Sequence, residues 1–146
     1  MQQPTLSLVS FHTPAKINDA DGTTLCGLVK GQPVASELQF TGEYDHYLFD
    51  FFRFKVSCIL LYDREEEEEE GQEYREVAQS DNQVEWNTCV SENGEKVGVD
   101  VRVFALTSQH GDKHFRIKFI ALPPRGLAAT ISLLCCQNYI SIRPTE

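Results

Sequence analysis

The chain has 146 residues, 41% of them hydrophobic, and a formal net charge of −9. That length suffices for one domain with its own core, spanning 1–146, and is short for two. No apolar run reaches the roughly 18 residues of a membrane-crossing helix, since the greasiest stretch, Leu127 to Cys136, is broken by Thr130 and Ser132. Six of the negative charges are the run Glu65 to Glu70, and without it the net charge is −3, so the acidity is mostly one local feature.

Met1-Gln2-Gln3-Pro4 has neither the basic nor the apolar region of a secretory signal. The five cysteines are an odd number, and Cys135 and Cys136 are adjacent, an arrangement that disfavours pairing within one strand. No Asn-x-Ser/Thr acceptor occurs. These features imply a reducing, intracellular setting, cytoplasmic or nuclear. A Cys58–Cys89 disulfide is the alternative and would place the domain outside the cell.

In chain order, Thr5 to Phe11 begins as an alternating strand (Leu6, Leu8) and changes parity at Val9 and Phe11, which predicts a bulge or an edge strand. Pro14 to Thr23 reads as a connection turning at Asn18 to Gly22. Thr24 to Val29 is a short strand. Pro33 opens a cleaner one, with Val34, Ser36, Leu38 and Phe40 on one face. Gly42 to Asp50 is a loop carrying Tyr44, Tyr47 and Phe49. Phe51 to Tyr62 predicts a central strand with Phe52, Phe54, Val56, Cys58, Leu60 and Tyr62 inward, its second half apolar on both faces through Ile59 and Leu61. An acidic loop over 64–72 follows, with six like charges that cannot be buried together. Then come strands over Glu73 to Gln79 and over Val84 to Val90, where the single tryptophan, Trp86, is a core anchor. Asn93-Gly94 is a strong turn pair.

From Val97 to Leu122 two alternating runs flank a polar turn: Val97, Val99, Val101, Val103 and Ala105, then Phe115, Ile117, Phe119 and Ala121. This pattern predicts a long antiparallel hairpin with one apolar and one charged face. Leu127 to Cys135 and Tyr139 to Arg143 close the chain. About eight short strands with turns between them and no helical period predict an all-β fold, an antiparallel, immunoglobulin-like β-sandwich. A strand near each end fits an excised module and a free-standing small protein equally.

Motifs for chemistry are sparse. His110 and His114 flank a turn, where a spacing of four has no special geometry, and a metal would need Cys135, Cys136 or His12 as well. Asp19-Ala20-Asp21-Gly22 resembles the start of a calcium loop, but Lys30 stands where the twelfth-position glutamate belongs. Calcium held between loops by Asp19, Asp21, Asp45 and Asp63 would make a membrane-docking sandwich. No Gly-x-Ser-x-Gly elbow or phosphate-binding glycine loop is present. The expectation is therefore a non-enzyme with no cofactor and no metal.

The charged face of the predicted hairpin carries Arg102, Lys113, His114, Arg116 and Lys118, with Asp100 among them. Cross-strand neighbours about 5 Å apart would gather these cations into one patch suited to an acidic protein or to phosphate. The leading expectation is a non-catalytic protein-interaction module of an intracellular regulatory protein. The alternative is a DNA-contacting immunoglobulin-type domain of a transcription regulator: Ser108, His110 and the run Lys113 to Lys118 resemble, over about one hairpin, Rel- and Runt-like factors. The acidic balance counts against nucleic acid.

Overall fold

The computed structural model describes residues 3–12, 15–18, 24–62, 76–77, 83–110, 114–126, 133–136 and 140–145. Ten strands lie among them: β1 (Thr5–His12), β2 (Ala15–Asn18), β3 (Thr24–Val29), β4 (Val34–Thr41), β5 (Lys55–Tyr62), β6 (Val84–Val90), β7 (Lys96–Val103), β8 (Phe115–Leu122), β9 (Leu134–Cys135) and β10 (Ile140–Thr145). A four-stranded sheet runs β1-β4-β7-β6, and a six-stranded sheet runs β2-β3-β10-β8-β5 with β9 beside β8. The molecule is the expected all-β sandwich. Its pairings are antiparallel except for β3 with β10, which run parallel.

Alternation explains the two layers. Val34, Ser36, Leu38 and Phe40 of β4 and Val97, Val99, Val101 and Val103 of β7 point into the core, as do Phe115, Ile117, Phe119 and Ala121 of β8. Ser36, the polar member of this set, donates its hydroxyl to the Val99 carbonyl at 2.7 Å, so its burial leaves no unmet group. Both predicted features of the first strand are present: β1 is an edge, and its register shifts between Leu8 and Ser10.

The predicted hairpin over Val97 to Leu122 does not form. β7 pairs with β4 and β6, whereas β8 pairs with β5, β9 and β10 in the other sheet. Two strands whose apolar faces meet the same core from opposite sides show the same alternation as two strands lying side by side. The connection decides between them. Ala105, Leu106 and Thr107 are buried as the chain passes a 3-10 turn at Thr107–His110, and that length crosses the roughly 10 Å between sheets. The true hairpin is β6–β7, turned by Ser91 to Glu95 with Gly94 at φ 74°.

Two smaller expectations also change. The fifth strand starts at Lys55 rather than Phe51, because the Asp50 carbonyl accepts from the amides of Arg53 and Phe54 and curls 51–54 into a turn. Phe52 is thereby exposed rather than inward. β2 occupies part of the predicted Pro14 to Thr23 connection. Of the predicted strand over Glu73 to Gln79, Glu76 bridges to Leu61 of β5 and Val77 donates to the Leu60 carbonyl. The acidic loop 64–72 and the carboxylates Asp19, Asp21 and Asp63 lie outside the described residues.

Candidate interaction surface

The basic residues are not gathered into one patch. Arg102 projects from the outer face of the four-stranded sheet, with its guanidinium 3.5 Å from the Gly31 carbonyl. Arg116 and Lys118 alternate with buried Phe115, Ile117 and Phe119 on β8, so they lie on the outer face of the other sheet, across the core from Arg102. There Arg116 is paired with Leu61 and Ser141, and Lys118 with Ile59. Leu61 and Ile120 on that same face are buried, so the cations run along a partly covered, partly apolar surface. His114 is half-buried just before β8, and Lys113 lies outside the described residues. The correction follows from the sheet assignment of β7 and β8: one charged hairpin face becomes two unrelated faces.

The other surface feature is aromatic and belongs to the loop that carries Tyr44 and Tyr47, with Phe52 as the member that its sequence pattern hides. Residues 42–54 connect β4 to β5 across the sandwich, and two aspartates shape them. Asp45 accepts the Tyr47 amide at its side chain (2.9 Å) and the Leu48 and Phe49 amides at its carbonyl. Asp50 repeats the device with Arg53 and Phe54, and its carboxylate stands 3.6 Å from the Arg53 guanidinium. Aspartate five residues after aspartate in an aromatic-rich loop is a turn signal readable in the sequence. Phe49, Phe51 and Phe54 drop into the core. Phe40 stacks on Phe51 at 4.2 Å, and Phe49 stacks on Phe54 at 5.4 Å. Tyr44 packs on His46 at 4.3 Å. Partial burial, and secondarily the Glu95 carboxylate, raise the pKa of the Tyr44 hydroxyl above its ordinary value.

Two rings point the other way. Tyr47 is 84% exposed and Phe52 is 64% exposed. Arg53 Nη1 donates to the Tyr47 carbonyl and holds that turn. Phe52 lies on Gly94: a Cβ there would sit 2.8 Å from the ring, and Phe51 donates its amide to the Gly94 carbonyl. Gly94 therefore serves both the positive φ of the β6–β7 turn and the seat of an exposed phenylalanine. A ring seated as Phe52 is loses little conformational entropy on contact with a partner.

Behind Phe52 a groove of about 450 Å³ runs between the start of β5 and the edge strand β6, lined among others by Phe54, Val56, Trp86 and Val90. Trp86 is only half-buried. Its indole Nε1 donates to the Val56 carbonyl at 3.0 Å, clasping the two sheets together on this side. Beside the same strand a second hollow of about 330 Å³ is lined by Val84 and Trp86 and, on the outer face, by Glu85, Asn87, Asp100 and Arg102.

None of the five cysteines forms a disulfide. Cys58 is buried on β5, and burial pushes its pKa up to about 12, which leaves it an inert thiol. Cys89 is exposed on β6, so the two do not share a bond. Among the described residues no three His, Cys, Asp or Glu side chains converge on a metal-sized site, and no helix is long and apolar enough to cross a membrane.

Fold and surface thus define a β-sandwich domain with exposed aromatics at one end and an open strand beside them. The chain belongs to the family of the DG1062 N-terminal domain, whose model matches residues 10–137. No curated protein matches it. β10 lies beyond the matched range, yet it sits between β3 and β8 in the six-stranded sheet.

Proposed function

We propose that the domain is a non-catalytic protein-interaction module that meets its partner with the sandwich end bearing Tyr47 and Phe52. The observation that carries this reading is Phe52, an aromatic ring 64% exposed to solvent yet seated on the β6–β7 turn. Aromatic rings placed beside a hollow and fixed before contact are what interface hot spots consist of. Five cysteines without a disulfide support an intracellular setting for such a module. The split of the basic residues between two outer faces reduces the phosphate contacts that either face can make, so protein is favoured over DNA as the partner.

Affinity capture from cells tests this. The pair Phe52→Ser and Tyr47→Ser should lose the partner while the melting temperature holds, whereas Arg116→Glu with Lys118→Glu should retain it. An electrophoretic shift of random duplex DNA at low salt, or capture that survives the aromatic pair, would overturn the reading.

A further inference from the structure

Among the described residues, the strand β6 is an edge whose outer backbone groups meet no partner. The Ser91 amide bonds to the Lys96 carbonyl at 2.9 Å, and the Phe104 amide to the Gln83 carbonyl at 2.8 Å. Antiparallel ladders alternate bonded and non-bonded pairs, so Glu85, Asn87 and Cys89 bond to β7, while the N–H and C=O of Trp86, Thr88 and Val90 point away from it. Among the described residues no strand or loop bonds to that side. The register has no shift along its seven residues, which contain no proline and one charge, Glu85. Natural edges are usually blunted by bulges, prolines or inward-pointing charges, and among the described residues β6 has none of these.

We propose that β6 accepts an extended segment of a partner protein as an added strand, with alternating apolar and basic side chains. This rests on the protein-interaction reading and names the chemistry of the partner. The alternation follows from the two hollows. Side chains on the inner face of an added strand would meet Phe52, Phe54, Val56 and Trp86, with Lys55 disfavouring a cation there, and those on its outer face would meet Glu85 and Asp100. Arg102, the cation of the outer hollow, already lies against the Gly31 carbonyl. A second copy of this chain is a poorer occupant, since it would bring the same acidic pair, Glu85 and Asp100, to the contact. Backbone bonds supply affinity in such additions, and alternate side chains supply selectivity.

Trp86, the single tryptophan, lines the groove and reports on it by fluorescence. The probes are two capped peptides matching the seven residues of β6 in length, one alternating lysine and valine, the other glutamate and valine. The lysine peptide should give a saturable change in Trp86 emission, and the glutamate peptide should bind about tenfold more weakly or worse. Thr88→Pro, which removes an outward N–H, and Glu85→Lys, which reverses a charge of the outer hollow and keeps every backbone group, should each weaken the lysine peptide by about tenfold. The lysine variant decides the matter if the proline variant does not fold. Absence of a saturable signal, equal binding of the two peptides, or indifference to both variants overturns the proposal. So does a dimer in sedimentation that Thr88→Pro dissolves, which would make a second copy the occupant. Capture by Phe52 and Tyr47 is read separately, so a failed edge and a failed interaction end are told apart.

Discussion

The four-stranded sheet ends in two edges that the sequence treats differently. At β1 the register slips between Leu8 and Ser10, leaving Val9 45% exposed at the bulge. The Ser7 and Thr41 hydroxyls share a hydrogen bond at 2.8 Å that ties this edge to β4. A bulge bends and twists an edge and removes it as a template for further pairing. At β6 the ladder to β7 is regular throughout, and Trp86 fastens the strand to β5 from beneath instead of covering its side. The six-stranded sheet protects its β5 edge in a third way, by the contact of Glu76 and Val77 with Leu61 and Leu60. A sheet whose other edge is bulged, beside a second sheet with a covered edge, makes the plain β6 edge a feature to be explained by use.

The largest test of this contrast strikes the floor of the groove beneath β6. Phe54 is 2% exposed and is packed by Phe49 and Phe40. Phe54→Ala should cost about 3–5 kcal/mol in denaturant unfolding, through lost transfer energy and the cavity left behind. A cost under about 1 kcal/mol would mean that the groove is loose and that β6 has no firm base. Cys58 tests the depth of the core on the β5 side. Its folded thiol holds its proton to about 12 against an ordinary value of 9.0, so its share of stability is present below pH 9 and is lost as pH rises toward 12. At the top of that window the loss is about 4 kcal/mol, and unfolding curves of Cys58→Ala should lack it. At neutral pH a thiol reagent should label Cys89 on the open strand and spare Cys58.

The layers were legible in the sequence because burial imposes a period of two, and β4, β7 and β8 show it cleanly. Which strands share a sheet was not. Val97 to Val103 and Phe115 to Ala121 obey one pattern whether they lie side by side or face to face, and only the buried Ala105-Leu106-Thr107 connection separates the cases. That single ambiguity removed the expected basic patch. The aromatic end was half legible: Tyr44 and Tyr47 were placed in a loop, but Phe52 continues the alternation of Phe54 and Val56 and so looked like core. Asp50, whose carbonyl and carboxylate curl the chain before Lys55, decides its fate locally.

Proline on β6 tests the bonding pattern directly. Asn87→Pro should remove a ladder bond to β7 and cost about 3 kcal/mol. Gly94→Ala should cost less, about 1–2 kcal/mol for the left-handed backbone alone. It should also push Phe52 from its seat, since the new Cβ lies 2.8 Å from the ring. Partner capture should then fall more than the melting temperature accounts for. Capture that stays intact in a folded Gly94→Ala protein would show that Phe52 need not be held.

The smallest expected effect on stability is the most discriminating. Thr88 is exposed, and the alternation fixed by the bonds at Ser91 and Gln83 turns its amide outward, so Thr88→Pro deletes a group that bonds to nothing among the described residues. Its cost should be about 1 kcal/mol or less, well under that of Asn87→Pro one position away. Hydrogen exchange should agree, with fast Trp86, Thr88 and Val90 amides interleaved with slow Asn87 and Cys89 amides. The β1 edge has no equivalent run, because its bulge breaks the alternation at Val9. If Thr88→Pro unfolds the protein as Asn87→Pro does, or if all five amides are protected alike, then β6 is covered on its outer side and the difference between the two edges disappears.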